Sequence, residues 1–200
     1  RNGVKLAFSI LAFIFLFKIG EAFLGRMSIV FYKEVGFTNA EIGTYSKLVT
    51  WWVTIVFALL GSAVNLRLGI IKGLLIGGVA MASSNLMFSW IALVGPDTDL
   101  FLSAVLIDGF TSAWSTVAFV AFISLLCNRT FTATQYALMA SLGALGKTVL
   151  SSSSGQIVDY MDGNWALFFV LTALMVIPSL IFLWFIRKPI AELERKRDEG

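Results

Sequence analysis

The chain has 200 residues, of which 58% are hydrophobic and 14% charged, with a mean hydropathy of +0.87. A soluble domain is nearer about 45–50% apolar, so the composition points to a membrane class. There is no His and one Cys. The commonest proton shuttle is therefore missing, no intrachain disulfide can form, and neither a metal ion nor another cofactor is expected. The formal charge of +3 is small and suggests no nucleic-acid partner.

A membrane span needs about 20 mostly apolar residues, and the chain offers six such segments. They fall near residues 4–30, 39–65, 69–94, 99–127, 132–158 and 164–186. Thr38 or Asn39 is expected to cap the second segment, with Glu41 in its first turn. The third stops at Gly95-Pro96. Asp99 is expected to cap the fourth, Thr132 or Thr134 to open the fifth, and Pro189 to limit the sixth. The reading is an all-α membrane protein, with residues 1–188 as one six-helix bundle and 189–200 as a charged tail. Lys18 interrupts the first apolar run and no small-residue cleavage site follows, so that run reads as a span rather than a signal peptide. The opening Arg1 suggests a piece of a longer chain.

Basic residues divide by side. Arg1, Lys5, Arg67, Lys72, Arg129, Arg187, Lys188, Arg195, Lys196 and Arg197 fall on one side of the six segments, and the opposite loops hold only Lys33 among acids such as Asp97 and Asp159. Lys and Arg accumulate in the cytoplasm, so both ends of the chain are expected there.

Four segments carry an ionisable residue at depth: Lys18 and Glu21 in the first, Lys47 in the second, Asp108 in the fourth and Lys147 in the fifth. Facing lipid, five such groups would cost roughly 12–18 kcal/mol. They are expected to face each other, water or a substrate. At 1.5 Å rise per residue, Glu21 lies about 13 Å from the outer end of its segment, Lys47 about 12 Å, Asp108 about 13 Å and Lys147 about 16 Å. Each belongs to a polar or small stripe at helical spacing. These are Lys18, Glu21, Gly25 and Ser28; Thr44, Lys47, Trp51 and Thr54; Asp108, Thr111, Ser112 and Ser115; and Gly143, Lys147, Ser151 and Ser154. Four such faces around one space make a hydrated cavity, as in transporter substrate sites.

Plainer readings stand beside this one. Lys47 and Arg26 have stems long enough to snorkel to the interface. Lys18 and Glu21, one turn apart, can neutralise each other as a purely structural pair. The third segment repeats Gly69, Gly73 and Gly77 at every fourth position, a close-packing pattern. The sixth has no polar stripe and reads as scaffold.

The run Lys18-Ile19-Gly20-Glu21-Ala22-Phe23 resembles the Lys-Leu-Gly-Asp-Ala-Phe run of AmpG-type muropeptide permeases. Val35-Gly36-Phe37, Glu41-Ile42-Gly43 and Lys47 are similar to the part that follows. The strongest likeness is Leu126-Cys127-Asn128-Arg129-Thr130-Phe131 with Thr132-Ala133-Thr134-Gln135-Tyr136-Ala137-Leu138. Gly146-Lys147 resembles that family's Gly-Arg pair. Four departures stand out. Glu21 replaces Asp, Lys147 replaces Arg and loses bidentate anion binding, Ser151–Ser154 stands where Gly-Pro is usual for a helix break, and Asp108 stands where Asn is common.

The resemblance implies the C-terminal six-helix half of a major facilitator fold, built from two inverted three-helix repeats, with an N-terminal six-helix half as partner. In that fold the first, second, fourth and fifth helices line the cavity. It also implies proton-coupled import of anhydro-muropeptides across the bacterial inner membrane, serving cell-wall recycling. Glu21, Asp108 and Lys18 are then the candidates for proton coupling, and Lys47, Trp51, Thr111, Ser112 and Lys147 for substrate binding. Two alternatives are a major facilitator permease for another sugar, peptide or drug, and a non-transporting membrane scaffold. An enzyme is not expected, since there is no two-His metal pair and no Gly-x-Ser-x-Gly elbow.

Overall fold

The computed structural model describes residues 2–127 and 132–198, with side chains given for all of these except 2, 47–50 and 197–198. Arg1, the Asn128–Phe131 stretch with Arg129, and the Lys47 side chain therefore lie outside the described residues. Among the described residues every regular element is helical. In chain order these are α1 (Asn2–Leu16), α2 (Ile19–Val35), α3 (Asn39–Glu41), a π-helix (Ile42–Val49), α4 (Thr50–Leu68), α5 (Ile70–Val94), α6 (Thr98–Leu126), α7 (Thr132–Ser151), α8 (Ser154–Tyr160), α9 (Trp165–Leu174) and α10 (Ile177–Asp198).

Five helical stretches are long and apolar enough to cross a membrane: 3–35, 39–68, 70–94, 98–126 and 165–196. They correspond to five of the six expected segments. The remaining one, 132–158, is not among them: Gln135, Lys147 and its serines leave it less apolar than the other five, and it is interrupted at Ser152-Ser153 between α7 and α8, as 3–35 and 165–196 are interrupted too. The break has a local hydrogen-bonding signature. Ser151, Ser152 and Ser153 each turn their hydroxyl back onto the carbonyl three residues earlier, at 3.4, 2.6 and 3.1 Å. Such bonds compete with the helical ladder. Three such bonds in a row accompany the break, at the position where Gly-Pro is usual in the resembling family.

Helix starts follow the expected chemistry with one correction. Thr38 and Glu41 form a reciprocal capping box at α3. At α6 the cap is Asp97 rather than Asp99: its carboxylate accepts from the Leu100 N–H at 2.8 Å. Pro189 does not limit the last helix, because α10 runs through it to Asp198. There the Glu194 carboxylate returns to the start of α5 and accepts from the Ile70 N–H at 2.9 Å.

Packing divides the bundle into two apolar cores. One lies toward the Gly36 and Gly95 turns and holds Phe31, Tyr32, Phe88, Phe101, Phe168 and Phe169. Phe31 and Phe169 meet edge to face at 4.7 Å, and Phe37 stacks on Phe101 at 4.4 Å. The other lies toward Gly69 and Cys127 and holds Phe13, Phe17, Leu74, Phe119, Phe122 and Leu183. Phe17 stacks on Phe119 at 5.4 Å. Aromatic pairs of this kind each add about 0.5–1.5 kcal/mol beyond their burial.

Small residues set the helix spacings. A Cβ on Gly146 of α7 would sit 2.2 Å from the Phe15 carbonyl oxygen of α1. One on Gly61 of α4 would sit 2.8 Å from the Trp114 Cα of α6. Gly77 of α5 faces the backbone of Ser115. Of the third segment's repeat, Gly73 packs closely against Asn65 of α4 and Gly77 against α6, whereas Gly69 forms the positive-φ turn before α5 and faces Glu194; close glycine contacts recur on α4 and α7.

Candidate functional site

The polar residues fall in the layer between the two cores. In the first segment Phe17 belongs to one core and Ile19 to the other, with Lys18 between them at the break separating α1 from α2. In α6, Val105 and Ala118 belong to opposite cores, and Asp108, Thr111 and Ser115 lie between. On α6 a step of three residues leads from Val105 of one core to Asp108, and another from Ser115 to Ala118 of the other core.

Lys18 is buried, with 8% of its surface exposed. Its ammonium makes three contacts: the Glu21 carboxylate, Thr116 Oγ1 at 2.5 Å and Ser115 Oγ at 3.4 Å. An ammonium has three hydrogens, so all of them are used. The other Glu21 oxygen accepts from Lys147 Nζ at 3.1 Å. The carboxylate is thereby bridged by two lysines, one from the first segment and one from α7. The two differ in exposure: the Lys147 side chain is 47% exposed and the Lys18 side chain 10%. One cation is structural in its surroundings, and the other is open to solutes.

Asp108 joins this group through a cavity. Glu21, Gly25, Ser28, Tyr32, Ser46 and Asp108 are among the residues around a space of about 140 Å³. Three of the four members of the first stripe therefore face one hollow with the fourth-segment acid. On its other side Asp108 borders a second space of about 220 Å³, together with Thr54, Ser112 and Thr116. Asp108 Oδ1 is 3.0 Å from Ser84 Oγ of α5. Thr111 is buried and bonds to the Asp108 carbonyl at 3.1 Å, so it braces the acid's own helix.

The remaining candidates lie elsewhere. Trp51 is 65% exposed, meets Trp52 edge to face at 5.3 Å, and lines neither cavity. Ser46, not a member of the expected Thr44–Lys47–Trp51–Thr54 stripe, is the second-segment residue that reaches the smaller cavity. A π-helix spans this stretch, and its extra residue per turn shifts which side chain faces inward. Ser84 and Thr116 complete the polar layer unannounced by the sequence, since a lone Ser or Thr on an apolar helix carries no pattern. Asn85 and Ser89 of α5 bond to Thr172 and to the Ala166 carbonyl of α9 at 3.2 and 2.9 Å. The third and sixth segments are thus fastened to each other by hydrogen bonds as well as apolar contact.

Several apolar helices enclosing an ion-bridged carboxylate and small polar cavities define a multi-pass membrane protein with a polar interior, the architecture of a transporter. The comparisons agree. No protein-family model matches the chain. It is 33% identical to transporter AmpG 4 of Rickettsia felis over 93% of its own length and 44% of the relative's. It is 32% identical to transporter AmpG 3 of Rickettsia prowazekii over 92% of this chain and 42% of the relative's. It is 31% identical to the anhydromuropeptide permease of Escherichia coli over 94% of this chain and 38% of the relative's. The chain is similar to the C-terminal half of AmpG-type permeases, which are named transporters and not enzymes. It spans less than half the length of the curated relatives it matches, in their C-terminal half.

Proposed function

We propose that this chain is the C-terminal six-helix half of a proton-coupled secondary transporter that imports anhydro-muropeptides across a bacterial inner membrane by alternating access. The observation that carries the reading is Glu21 bridged by Lys18 and Lys147 inside an apolar bundle. A scaffold gains nothing from holding three charges in its interior, whereas a carrier of an anionic peptide needs them. The substrate class follows from the Escherichia coli relative's name and from a cation that a peptide carboxylate can engage.

In this reading Lys147 is the substrate contact. It is the solvent-open partner of Glu21, and an incoming carboxylate competes for its ammonium. Occupancy then leaves Glu21 with Lys18 alone, which ties substrate binding to the charge balance of the site. Glu21 and Asp108, bordering one cavity, are the carboxylates available to carry the proton. Lys47 and Trp51 remain substrate candidates, and Ser112 borders the larger cavity. The expected orientation keeps the basic Arg67, Lys72 and Arg195 side in the cytoplasm, with the α7–α8 stretch as the sixth crossing. Rocking of this half against its partner would open the site to each side in turn.

The test is uptake of labelled anhydro-muropeptide into vesicles bearing the full-length protein, with and without a pH gradient. Uptake driven by an acidic exterior is expected, and Glu21→Gln should reduce it at least about tenfold, since it removes the charge that both lysines hold. Gradient-driven uptake of the same size in Glu21→Gln would sink the coupling role. Transport of a different sugar or peptide in place of the muropeptide would favour the alternative permease reading.

A further inference from the structure

Ser84 sits on α5 with 1% of its surface exposed. Its Oγ lies 2.8 Å from the Met81 carbonyl oxygen and 3.0 Å from Asp108 Oδ1. A hydroxyl has one hydrogen to give. If Asp108 is a carboxylate, both neighbours are acceptors, and one of these two close oxygen pairs has no hydrogen between them. If Asp108 is a carboxylic acid, it donates to Ser84, Ser84 donates to Met81, and both contacts are satisfied. Thr111 does not change this count: its Oγ1 is 3.1 Å from the Asp108 carbonyl and 3.4 Å from Ser84 Oγ, so its hydrogen serves its own helix.

Lys18 is a charge close to Asp108, and its three hydrogens go to Glu21, Thr116 and Ser115 rather than to the Asp108 carboxylate. In the polar layer, Lys18 and Lys147 both pair with Glu21. The titratable groups sharing the cavity with Asp108 are Glu21 and Tyr32, both from α2, while the π-helix presents Ser46 there. Across the second cavity α4 presents Thr54. Asp108 is also the one carboxylate that borders both cavities, so solvent entering either of them meets it.

We propose that Asp108 carries the coupled proton, that it holds this proton in the conformation described, and that Ser84 is the residue positioning it. This deepens the transport reading above and rests on it: Glu21 keeps its two lysines as the charge-balancing group, and Asp108 moves the proton. Loading transfers a proton from hydronium in one cavity to the carboxylate, leaving water and the acid hydrogen-bonded to Ser84. Release to water in the other cavity reverses the step.

The experiment uses the full-length protein in lipid bilayers. Infrared difference spectroscopy near neutral pH should show the C=O band of a protonated carboxyl that vanishes in Asp108→Asn. Ser84→Ala should shift or weaken that band, and Ser84→Thr should restore it. In vesicles, Asp108→Asn should lose gradient-driven accumulation of labelled anhydro-muropeptide by at least about tenfold. Loss of no band in Asp108→Asn, or a band indifferent to Ser84→Ala, would overturn the assignment of proton and partner. Accumulation preserved in Asp108→Asn beside an accumulating wild type would overturn the coupling role and leave the transport reading standing. Absence of accumulation in the wild type itself would instead count against the transport reading.

Discussion

Lys18 is nearly buried, and a buried ammonium is stable only with its partners in place. Removing one member of a buried pair costs about 3–5 kcal/mol, whereas replacing both by groups of similar shape is often close to neutral. Lys18→Met should therefore destabilise the protein by about 3 kcal/mol, and the double change Lys18→Met with Glu21→Gln should recover most of that loss. Lys147→Met should cost less than about 1 kcal/mol, because its half-exposed side chain interacts through solvent. Thermal unfolding in one detergent would measure all three, and a Lys147→Met penalty equal to that of Lys18→Met would refute the distinction. At this scale the charged residues were legible in advance, because an ionisable group in an apolar run stands out by its expense. The layer's neutral members were not. Ser84 and Thr116 matter through which helices face Lys18 and Asp108, and that is settled by tertiary packing.

Glycine at helix crossings and serine at a helix break do the corresponding work for whole elements. Gly146 brings α7 against the carbonyl of Phe15, and a methyl group there meets backbone at 2.2 Å, which no side-chain rotation relieves. Gly155 of α8 has open space at the same test. Gly146→Ala should lower stability by about 1–3 kcal/mol, in the range for overpacking a rigid contact, and weaken the Lys147–Glu21 bridge one residue away. Gly155→Ala should be neutral or slightly stabilising, since Ala is the better helix former. Equal melting temperatures for the two variants would show that the close approach of α1 and α7 carries no weight. Five of the spans, the Thr38–Glu41 capping box and the close contacts at Gly73 and Gly77 were readable because periodicity and local hydrogen bonding are properties of short windows. The break at Ser152-Ser153 was left open by the sequence, which lacks the familiar Gly-Pro signal, and three adjacent serines that bond back to carbonyls accompany it. Pro189 erred in the opposite sense, promising an end that α10 does not have.

At the scale of the molecule, the unevenness of burial is informative. In the most apolar stretch of α5, and likewise of α6, half of the residues are buried, against 13% in the corresponding part of the second segment. On α4 both the Trp51–Ile55–Leu59 line and the Trp52–Val56–Leu60 line are exposed. The two cavities at Asp108, about 140 and 220 Å³, fall below the 300–1,000 Å³ typical of ligand pockets. Both facts fit the proposed half-transporter, in which these cavities form one wall of a larger site and α4 lies between lipid and a second half. A single-tryptophan comparison separates lipid from protein cover. Versions retaining only Trp51 or only Trp52, in bilayers of brominated lipid, should both be quenched when this chain is inserted alone. Joined to the upstream half, one of the two should lose at least about half of its quenching, because two lines on one helix face different directions and a partner covers one of them. Strong and equal quenching of both in the joined protein would leave α4 surrounded by lipid and remove the argument that its face is built to meet a second half.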